Sequence, residues 1–403
     1  MNILYISREY PPSKRSAGIG TYTKEISTGM ARRGHNVFVI AASDNISHNT
    51  KEIIEGVTVY RLKGGDFYVY KNIIGKILSK VRSILSYNSY RRKVYKKILE
   101  IIDEKKIEII EIPEYGNEGK FWLRNKTIPT IVRFHGPRGF NRDAKKFEFN
   151  NNREVNELLD TFKADAISFV SKSMKELIIK EPIIKNQIKD FLGPSIVIPN
   201  SIAIDFVVNK KKIGKEIKIL GAGTISKTKG WGELIEACNQ LRLAKIPLVL
   251  KIYGRYTTFG KMLNKRIKKS KELAIFIELP GPVDKLVLFE QYANADICCF
   301  PSWYEPFGLT VIEAMAHGAI VIASNSGGGC EIIENGFNGF LVQPQSVNDL
   351  KRAIYHIINL NEEEKQKIRI NARKTVEEKF SNKTVLNFVE SFYKSFTANH
   401  NDN

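Results

Sequence analysis

The sequence is poor in the residues that build disulfides and metal sites. Its 403 residues include four cysteines and six histidines, and the cysteines have neither the CxxC nor the Cys/His spacing of a zinc site. Cys298 and Cys299 fall in an apolar stretch typical of a buried strand, and we expect all four cysteines to be reduced. The composition indicates a globular cytosolic protein and excludes a disulfide scaffold.

Long apolar runs are also missing. No stretch approaches the ~20 apolar residues that cross a bilayer, and no basic leader precedes the short apolar run at residues 1–7. We therefore expect a cytoplasmic protein that neither crosses a membrane nor is secreted.

Acidic residues are outnumbered, with 43 Asp and Glu against 63 Lys and Arg and a formal net charge of +20. Residues 63–106 carry twelve basic and four acidic residues, with isoleucine and leucine at helical spacing among them. One interpretation is a basic amphipathic helix on an anionic membrane surface. The other is a helix that faces the core and has a solvated, lysine-rich back. The chain has no recognisable DNA- or RNA-binding motif, so we expect no nucleic-acid partner.

The length predicts two domains, because 403 residues exceed what one hydrophobic core usually serves. A strand, a helix and a strand at residues 2–7, 20–33 and 36–41 open a βαβ unit, and a second series of this kind starts at residue 216. We predict an α/β fold in which two doubly wound domains face each other across a cleft. The predicted parts are a first domain at 1–200, a hinge at 201–215, a second domain at 216–380 and a C-terminal helix at 381–397.

The remaining elements follow from apolar periodicity and from helix start and stop signals. Further strands are predicted at residues 53–62, 107–112, 130–135, 166–171, 195–199, 216–222, 248–254, 274–279 and 296–300. Further helices are predicted at residues 230–243, 284–295, 308–317, 346–360, 362–379 and 381–396.

Two glutamates frame a strand-to-helix loop in the second domain. Glu305 precedes the predicted helix and Glu313 lies inside it, separated from Glu305 by seven residues. A carboxylate accepts two hydroxyl hydrogen bonds at once, which suits a ribose or a hexose. Unpaired amides at the helix start would point at an anion; they belong to Phe307, Gly308, Leu309 and Thr310. The alternative is that Glu305 is an exposed loop residue and Glu313 a solvated helix residue. The apolar neighbours of Glu313 argue against this, because they leave no evident solvated face for it.

Three other loops follow predicted strands. Gly18 and Gly20 let backbone N–H groups approach a bound group closely. Lys227 and Lys229 bring cations to a strand-to-helix turn, where a leaving diphosphate needs them. His135 ends a strand and is expected to face the cleft, although a lone histidine is more often structural.

Taken in order, these segments resemble the retaining glycosyltransferases of the GT-B fold, family-four type, which include bacterial enzymes of polysaccharide and glycolipid synthesis. GT-B proteins have two Rossmann-like domains. The resemblance covers nearly the whole chain and is carried by residues 8–26, 111–119, 132–137, 197–202, 221–237, 301–318 and 324–342.

The resemblance implies transfer of a hexose from a nucleotide diphosphate sugar, UDP- or GDP-linked, to a hydroxyl acceptor with retention of configuration. The acceptor would be lipid-linked if the enzyme works at the inner face of the membrane. His135 would contact the sugar, Glu305 the hexose hydroxyls, and Glu313 the ribose. Lys229, with Lys227 and the helix-start amides, would stabilise the departing diphosphate, and Gly18 and Gly20 would line the site.

The absence of any Asp-x-Asp pair argues against the metal site of the other large glycosyltransferase fold, so we expect metal-independent transfer without a cofactor. Two positions depart from the family pattern. Ala17 replaces a glycine, and Thr224 stands where an arginine usually precedes Lys229 by five residues. We do not expect Glu331, after a run of three glycines, to be a site residue.

Two alternatives stay open. One is a sugar phosphorylase or sugar-phosphate synthase on the same fold. The other is a basic module that binds membrane or nucleic acid without catalysis. The sequence argues against a dehydrogenase, because the GAGT stretch at residues 221–224 lacks the third glycine of a dinucleotide-binding fingerprint.

Overall fold

The computed structural model describes residues 1–44, 48–65, 76–136, 140–141, 146–149, 152–204 and 216–398. They form two α/β units, each built on a sheet whose strands run mainly parallel. The predicted fold class, two doubly wound Rossmann-like domains, is confirmed.

The sheet of the first unit has the strand order β10-β9-β6-β5-β1-β2-β4-β3, and only β3 runs antiparallel to its neighbour. Its strands are β1 (Asn2–Ile6), β2 (Asn36–Ala42), β3 (Thr50–Ile54), β4 (Val57–Leu62), β5 (Ile109–Pro113), β6 (Thr130–Phe134), β9 (Ala166–Phe169) and β10 (Ser195–Val197), while β7 (Phe140–Asn141) and β8 (Lys146–Phe147) pair separately. Its helices are α1 (Gly18–Arg32), α2 (Lys76–Lys105), α3 (Lys120–Leu123), α4 (Asn152–Thr161), α5 (Lys172–Ile179) and α6 (Lys185–Asp190).

The sheet of the second unit has the order β13-β12-β11-β14-β15-β16 and is parallel throughout. Its strands are β11 (Ile217–Ala222), β12 (Leu248–Tyr253), β13 (Ile277–Gly281), β14 (Ile297–Phe300), β15 (Ile320–Ser324) and β16 (Phe340–Val342). The helices are α7 (Trp231–Leu243), α8 (Thr258–Lys269), α9 (Lys271–Ala274), α10 (Lys285–Asn294), α11 (Leu309–Ala316), α12 (Gly329–Ile332), α13 (Val347–Asn359), α14 (Glu362–Lys379) and α15 (Asn382–Ala398).

Both faces of each sheet are covered, which explains the continuous apolar runs of the central strands. Along β1, Leu4 and Ile6 enter one core cluster, whereas Ile3 and Tyr5 enter another. Successive side chains of a strand point to opposite faces. A strand with helices on both sides therefore has no face exposed to solvent, and its sequence does not alternate between apolar and polar residues.

One predicted strand starts too early, and several helices were not predicted, among them α8 and α9. Residues 274–276 do not extend a strand, because Ala274 ends α9 and β13 starts at Ile277. The Ser270 side chain accepts a hydrogen bond from the Leu273 amide and so caps α9. Helix α8 lies between β12 and β13, where Leu263 and Ile267 are buried four residues apart. That spacing is typical of a helix, but the lysines and the arginine around these two residues hide the apolar pattern in the sequence.

Helix α2 corrects the prediction for the basic segment at one position. Both interpretations placed its cations on a solvated or membrane-facing surface, yet Arg91 is 1% exposed. Its guanidinium pairs with Glu157 at 2.7 Å and donates to the Gly116 carbonyl. Val94 and Ile98 of the same helix are fully buried. From Tyr87 onward, one face of α2 therefore packs on the core; residues 66–75 and the side chains of 76–86 lie outside the described part.

Helix α15 follows the second unit in the chain and packs on α1 of the first. Leu386 fills the space above Gly29, where an added Cβ would lie 2.4 Å from its Cδ1. Tyr393 donates a 2.7 Å hydrogen bond to the buried Glu111 carboxylate of β5. The predicted hinge falls mostly on residues 205–215, which lie outside the described residues. Within the described part, no helix combines the length and hydropathy needed to span a membrane.

Candidate functional site

A cavity of about 540 Å³ lies between the two units. Its walls are the segments that follow β1, β6, β11, β12, β13 and β14, so the carboxyl edges of both sheets face it. This is the edge at which parallel α/β sheets bind ligands. Lining residues from the first unit include Glu9, Gly18, Tyr115, His135 and Asn200, and those from the second include Thr224, Lys229, Arg255, Glu305 and residues 306–310.

Lys229 and Glu305 form an ion pair in the cavity wall. Lys229 ends a 3₁₀ turn at Lys227–Lys229, and Gly230 follows with φ of 73°. A Cβ at Gly230 would lie 2.1 Å from the Pro301 carbonyl oxygen, so only glycine fits there. The Ser302 hydroxyl, 3.2 Å from Glu305, donates a second hydrogen bond to its carboxylate.

The N-terminus of α11 opens onto the same cavity. Gly308 precedes the helix with φ of 113°, and Phe307, Leu309 and Thr310 line the wall beside it. The first amides of a helix have no acceptor within it, and the helix dipole adds ~0.3–1 kcal/mol for an anion at its start. Together with Lys229, this wall is suited to an anion such as a diphosphate.

Glu313 lies deeper than Glu305 and is not part of the cavity wall. Burial raises the pKa of Glu313 to about 7, and the Lys285 ammonium, 3.9 Å away, opposes that shift. Among the described residues, none donates a hydrogen bond to the Glu313 carboxylate. Glu313 therefore lies behind the wall to which Glu305 belongs, with the Lys285 ammonium beside its carboxylate.

His135 follows β6 and lies in the opposite wall, edge-on to the Tyr22 ring at 5.1 Å. Burial, together with the nearby Arg133 charge, keeps the pKa of His135 well below its ordinary value. The imidazole is therefore neutral at pH 7, with one donor and one acceptor nitrogen. The Glu114 carboxylate accepts hydrogen bonds from the amides of His135 (3.0 Å) and Gly136 (2.6 Å) and so fixes this loop.

Three predicted residues have different surroundings. Gly18 lines the cavity, as does Ala17. Gly20 does not, and its lack of a side chain serves packing, because a Cβ there would lie 2.1 Å from the Glu9 carbonyl oxygen. Lys227 turns away from the cavity, with its ammonium 5.2 Å from the centre of the Trp303 ring.

The structure adds charged residues that the sequence did not single out. Glu9 follows β1, and its buried Oε2 has no hydrogen-bond partner among the described residues. Burial raises the pKa of Glu9, while the charges of Arg8 and Arg255 oppose that shift. Arg255 and Glu114 were also missed. All three stand one to three residues after a strand, and that position was the available signal.

Direct contacts join the two units beside the cavity. The Ser171 hydroxyl donates to the Pro306 carbonyl at 2.6 Å. Glu331 accepts hydrogen bonds from the amides of Lys172 (2.8 Å) and Ser173 (2.6 Å), at the start of α5. Glu331 does not line the cavity, and it links the second unit to the first.

Family models match both halves of the chain. The model described as Glycosyltransferase Family 4 matches residues 16–205, and the model described as Glycosyl transferases group 1 matches residues 204–375. The chain belongs to the family-four-type glycosyltransferases. Its two facing Rossmann-like units are the GT-B fold, and it is a transferase.

Relatives and solved structures resemble this glycosyltransferase over its whole length. An uncharacterized glycosyltransferase of Methanocaldococcus jannaschii is 26% identical over 98% of each chain. Sucrose-phosphate synthase from Thermosynechococcus elongatus has a TM-score of 0.79 at 18% identity, covering 99% of this chain and 100% of its own. Anabaena HepE, solved in complex with UDP and glucose, has a TM-score of 0.71 at 18% identity, covering 98% of this chain and 100% of its own. Both structural likenesses show the fold.

Proposed function

We propose that this glycosyltransferase moves a hexose from a UDP- or GDP-sugar to a hydroxyl acceptor with retention of configuration. The proposal rests on the two walls of one cavity, of which one is suited to an anion and the other offers a neutral imidazole. Lys229, Glu305 and the start of α11 form one wall, and the neutral His135 lies in the other. HepE was solved with UDP and glucose, which supports this class of donor.

The first wall would hold the departing diphosphate. A diphosphate at the start of α11 would attract the Lys229 ammonium, which is paired with Glu305 in its absence. When Lys229 turns to the phosphate, the Glu305 carboxylate would accept hydrogen bonds from hexose hydroxyls in place of the ammonium. Glu313 would accept the ribose hydroxyls from its buried position.

His135 would contact the transferred sugar from the first unit. Held by Glu114 and neutral at pH 7, its imidazole would donate a hydrogen bond to a hexose hydroxyl. We assign no covalent nucleophile. The acceptor oxygen would bond to the anomeric carbon as the bond to the diphosphate breaks, on the same face, and the acceptor proton would pass to the leaving phosphate oxygen.

Metal independence is part of the proposal. The positive charge that the leaving diphosphate needs would come from lysine, from the helix dipole and from backbone amides. Transfer should therefore continue in excess EDTA.

We further propose a role in cell-surface polysaccharide or glycolipid synthesis, at the cytoplasmic face of an anionic membrane. The net charge of +20 supports such a surface. Binding to anionic vesicles should fall as salt is added, because screening weakens the attraction. Equal pelleting with neutral and anionic vesicles would contradict it. A panel of lipid-linked, free-sugar and sugar-phosphate acceptors separates this role from a sugar-phosphate synthase.

Two neighbouring lysines provide a matched test of the donor site. Lys229→Met should weaken binding of UDP or GDP by on the order of tenfold, because it removes a charged hydrogen bond to phosphate. Lys227→Met should leave affinity within about twofold, since Lys227 faces Trp303. Calorimetric titration of both variants measures this difference. If neither nucleotide binds the unaltered enzyme, or if the two variants behave alike, the proposed donor site is wrong.

A further inference from the structure

Arg255 reaches across the cavity from the second unit to the first. It follows β12 by two residues, and its guanidinium donates to the backbone carbonyls of Lys14 (3.1 Å) and Ser16 (2.6 Å). These two bonds use two of the five N–H donors of an arginine. Among the described residues, the guanidinium has no other hydrogen-bond partner.

The loop that Arg255 holds lies between two anchors. Asp44 holds it from the first unit, accepting from the Lys14 amide at 2.9 Å and from Arg15 at 2.6 Å. Arg255 holds it from the second. The loop then runs to Gly18, where an added Cβ would lie 3.9 Å from Leu309 Cδ1 at the start of α11. Residues 14–18 therefore pass from Arg255 to the helix start that faces the cavity.

The position of Arg255 in the sheet brings it to the anion-binding wall. Strands β12, β11 and β14 are consecutive neighbours, so Arg255, Thr224 and the start of α11 leave the same edge side by side. The loops after β11 and β12 are in contact, because a Cβ at Gly254 would lie 1.8 Å from the Gly223 oxygen. Of the described residues, only Lys229 and Arg255 bring a lysine or arginine side chain to the cavity wall, and Lys229 is paired with Glu305.

We propose that Arg255 binds the diphosphate of the donor through its remaining N–H groups while it holds residues 14–16. This inference rests on the proposed nucleotide-sugar donor. The guanidinium has two edges on which it can form paired hydrogen bonds, so it can bridge carbonyl oxygens and phosphate oxygens at once. Donor binding would then fix the loop of the first unit over the cavity. Thr224 stands two residues after β11, as Arg255 stands two residues after β12, and its side chain carries no charge.

Nucleotide titration tests the phosphate contact. Arg255→Gln should weaken UDP or GDP binding by on the order of tenfold, and Arg255→Lys should fall between this variant and the unaltered enzyme. Arg266→Gln removes the same charge from the exposed side of α8, outside the cavity wall, and should change affinity less than about twofold. Equal loss in Arg255→Gln and Arg266→Gln, or no loss in either, would overturn the proposal.

Trypsin tests the bridge to the loop, because Lys14 and Arg15 are cleavage sites. At saturating nucleotide, cleavage at these bonds should slow in the unaltered enzyme and should not slow in Arg255→Gln at equal occupancy. Asp44→Asn, which releases the other anchor, should be cleaved faster without nucleotide yet still be protected by it. Faster cleavage on nucleotide binding would mean that Arg255 leaves the loop for the phosphate, and equal protection of Arg255→Gln would mean that it forms no bridge. Either result overturns the proposal.

The two proposals fail in different ways. If the unaltered enzyme binds no nucleotide, the proposed function and the role of Arg255 are both wrong. If it binds nucleotide and Arg255→Gln binds equally well, only the role of Arg255 is wrong.

Discussion

Three buried carboxyl groups lower the free energy of unfolding at neutral pH. Burial raises the pKa of Glu114, Glu118 and Glu313 to about 7, from an ordinary value of 4.5. Between these values the folded state binds more protons than the unfolded state. The free energy of unfolding therefore falls, through these groups, as pH rises from 4.5 to 7. Glu114 has an evident use in fixing the His135 loop, and the proposed use of Glu313 is ribose binding.

The residue-scale prediction concerns Glu313→Gln. The change removes a charge that is unfavourable above pH 7, so the free energy of unfolding at pH 8 should rise by about 1–3 kcal/mol, and it should be unchanged below pH 4.5. Nucleotide binding should nevertheless weaken, because a ribose hydroxyl loses a charged acceptor. Urea unfolding at both pH values and nucleotide titration measure the two effects.

The exposed Glu334 provides the control for this variant. Glu334→Gln should change neither stability nor binding. A Glu313→Gln protein that is more stable at pH 8 yet binds nucleotide normally would show that the carboxylate is buried for another reason.

At the residue scale the sequence identified loops better than side-chain directions. Lys227 and Lys229 were both assigned to the diphosphate, but they lie in a 3₁₀ turn. With three residues per turn, side chains two positions apart point in different directions. Only Lys229 lines the cavity. Arg255 was missed because its contacts are to residues about 240 positions earlier, which no local pattern reveals.

At the scale of elements, helix α2 shows that a basic helix can direct one of its cations into the core. Arg91 is enclosed between Glu157, the Gly116 carbonyl and the Tyr87 ring, 4.3 Å from its guanidinium carbon. The sequence predicts the helix from its periodicity. It cannot show that one arginine belongs to the core, because Glu157 lies 66 residues later on α4.

The element-scale prediction compares two adjacent arginines of α2. Arg91→Ala should lower the free energy of unfolding by about 3–5 kcal/mol, because it removes the guanidinium that pairs with the buried Glu157 carboxylate. Arg92→Ala, at an exposed position, should cost less than about 1 kcal/mol. Chemical denaturation of the two variants measures both. Similar stabilities would contradict the buried pair.

Other elements were predicted closely where apolar periodicity was strong. Strands β11, β12 and β14 and helices α13 and α14 begin and end within one or two residues of the predicted bounds. Helix α8 was missed because most of its residues are polar and its buried face is narrow. Its start carries a recognisable signal, since the Thr257 hydroxyl accepts a hydrogen bond from the Gly260 amide.

At the scale of the whole molecule, polar contacts beside the cavity help α15 to join the two units. Glu331 accepts from two amides at the start of α5, where its charge is also favoured by the helix dipole. The sequence predicted two facing domains from its two series of strands and helices. It did not predict this contact, because Glu331 and α5 belong to different units and are about 160 residues apart.

Removing the Glu331 carboxylate should change hydrogen exchange locally, at the start of α5. Glu331→Ala should expose the amides of Lys172 and Ser173, so that they exchange faster in the nucleotide-free protein, while the Met174 amide stays protected by Ser171. Glu334→Ala is the matched control. Unchanged exchange in Glu331→Ala would show that the two units are not held together at this point.

We propose that the transfer of the hexose needs no metal, that the second unit holds the donor diphosphate and that His135 acts from the first unit. The rate of nucleotide release from UDP- and GDP-sugars in excess EDTA, with and without acceptor, tests these three points together. We predict release by the unaltered enzyme that EDTA does not reduce. His135→Ala should release nucleotide at least about 100-fold more slowly while binding free nucleotide within about twofold, because its contact is to the sugar. Loss of release on chelation, or release by His135→Ala at the unaltered rate, would contradict the account.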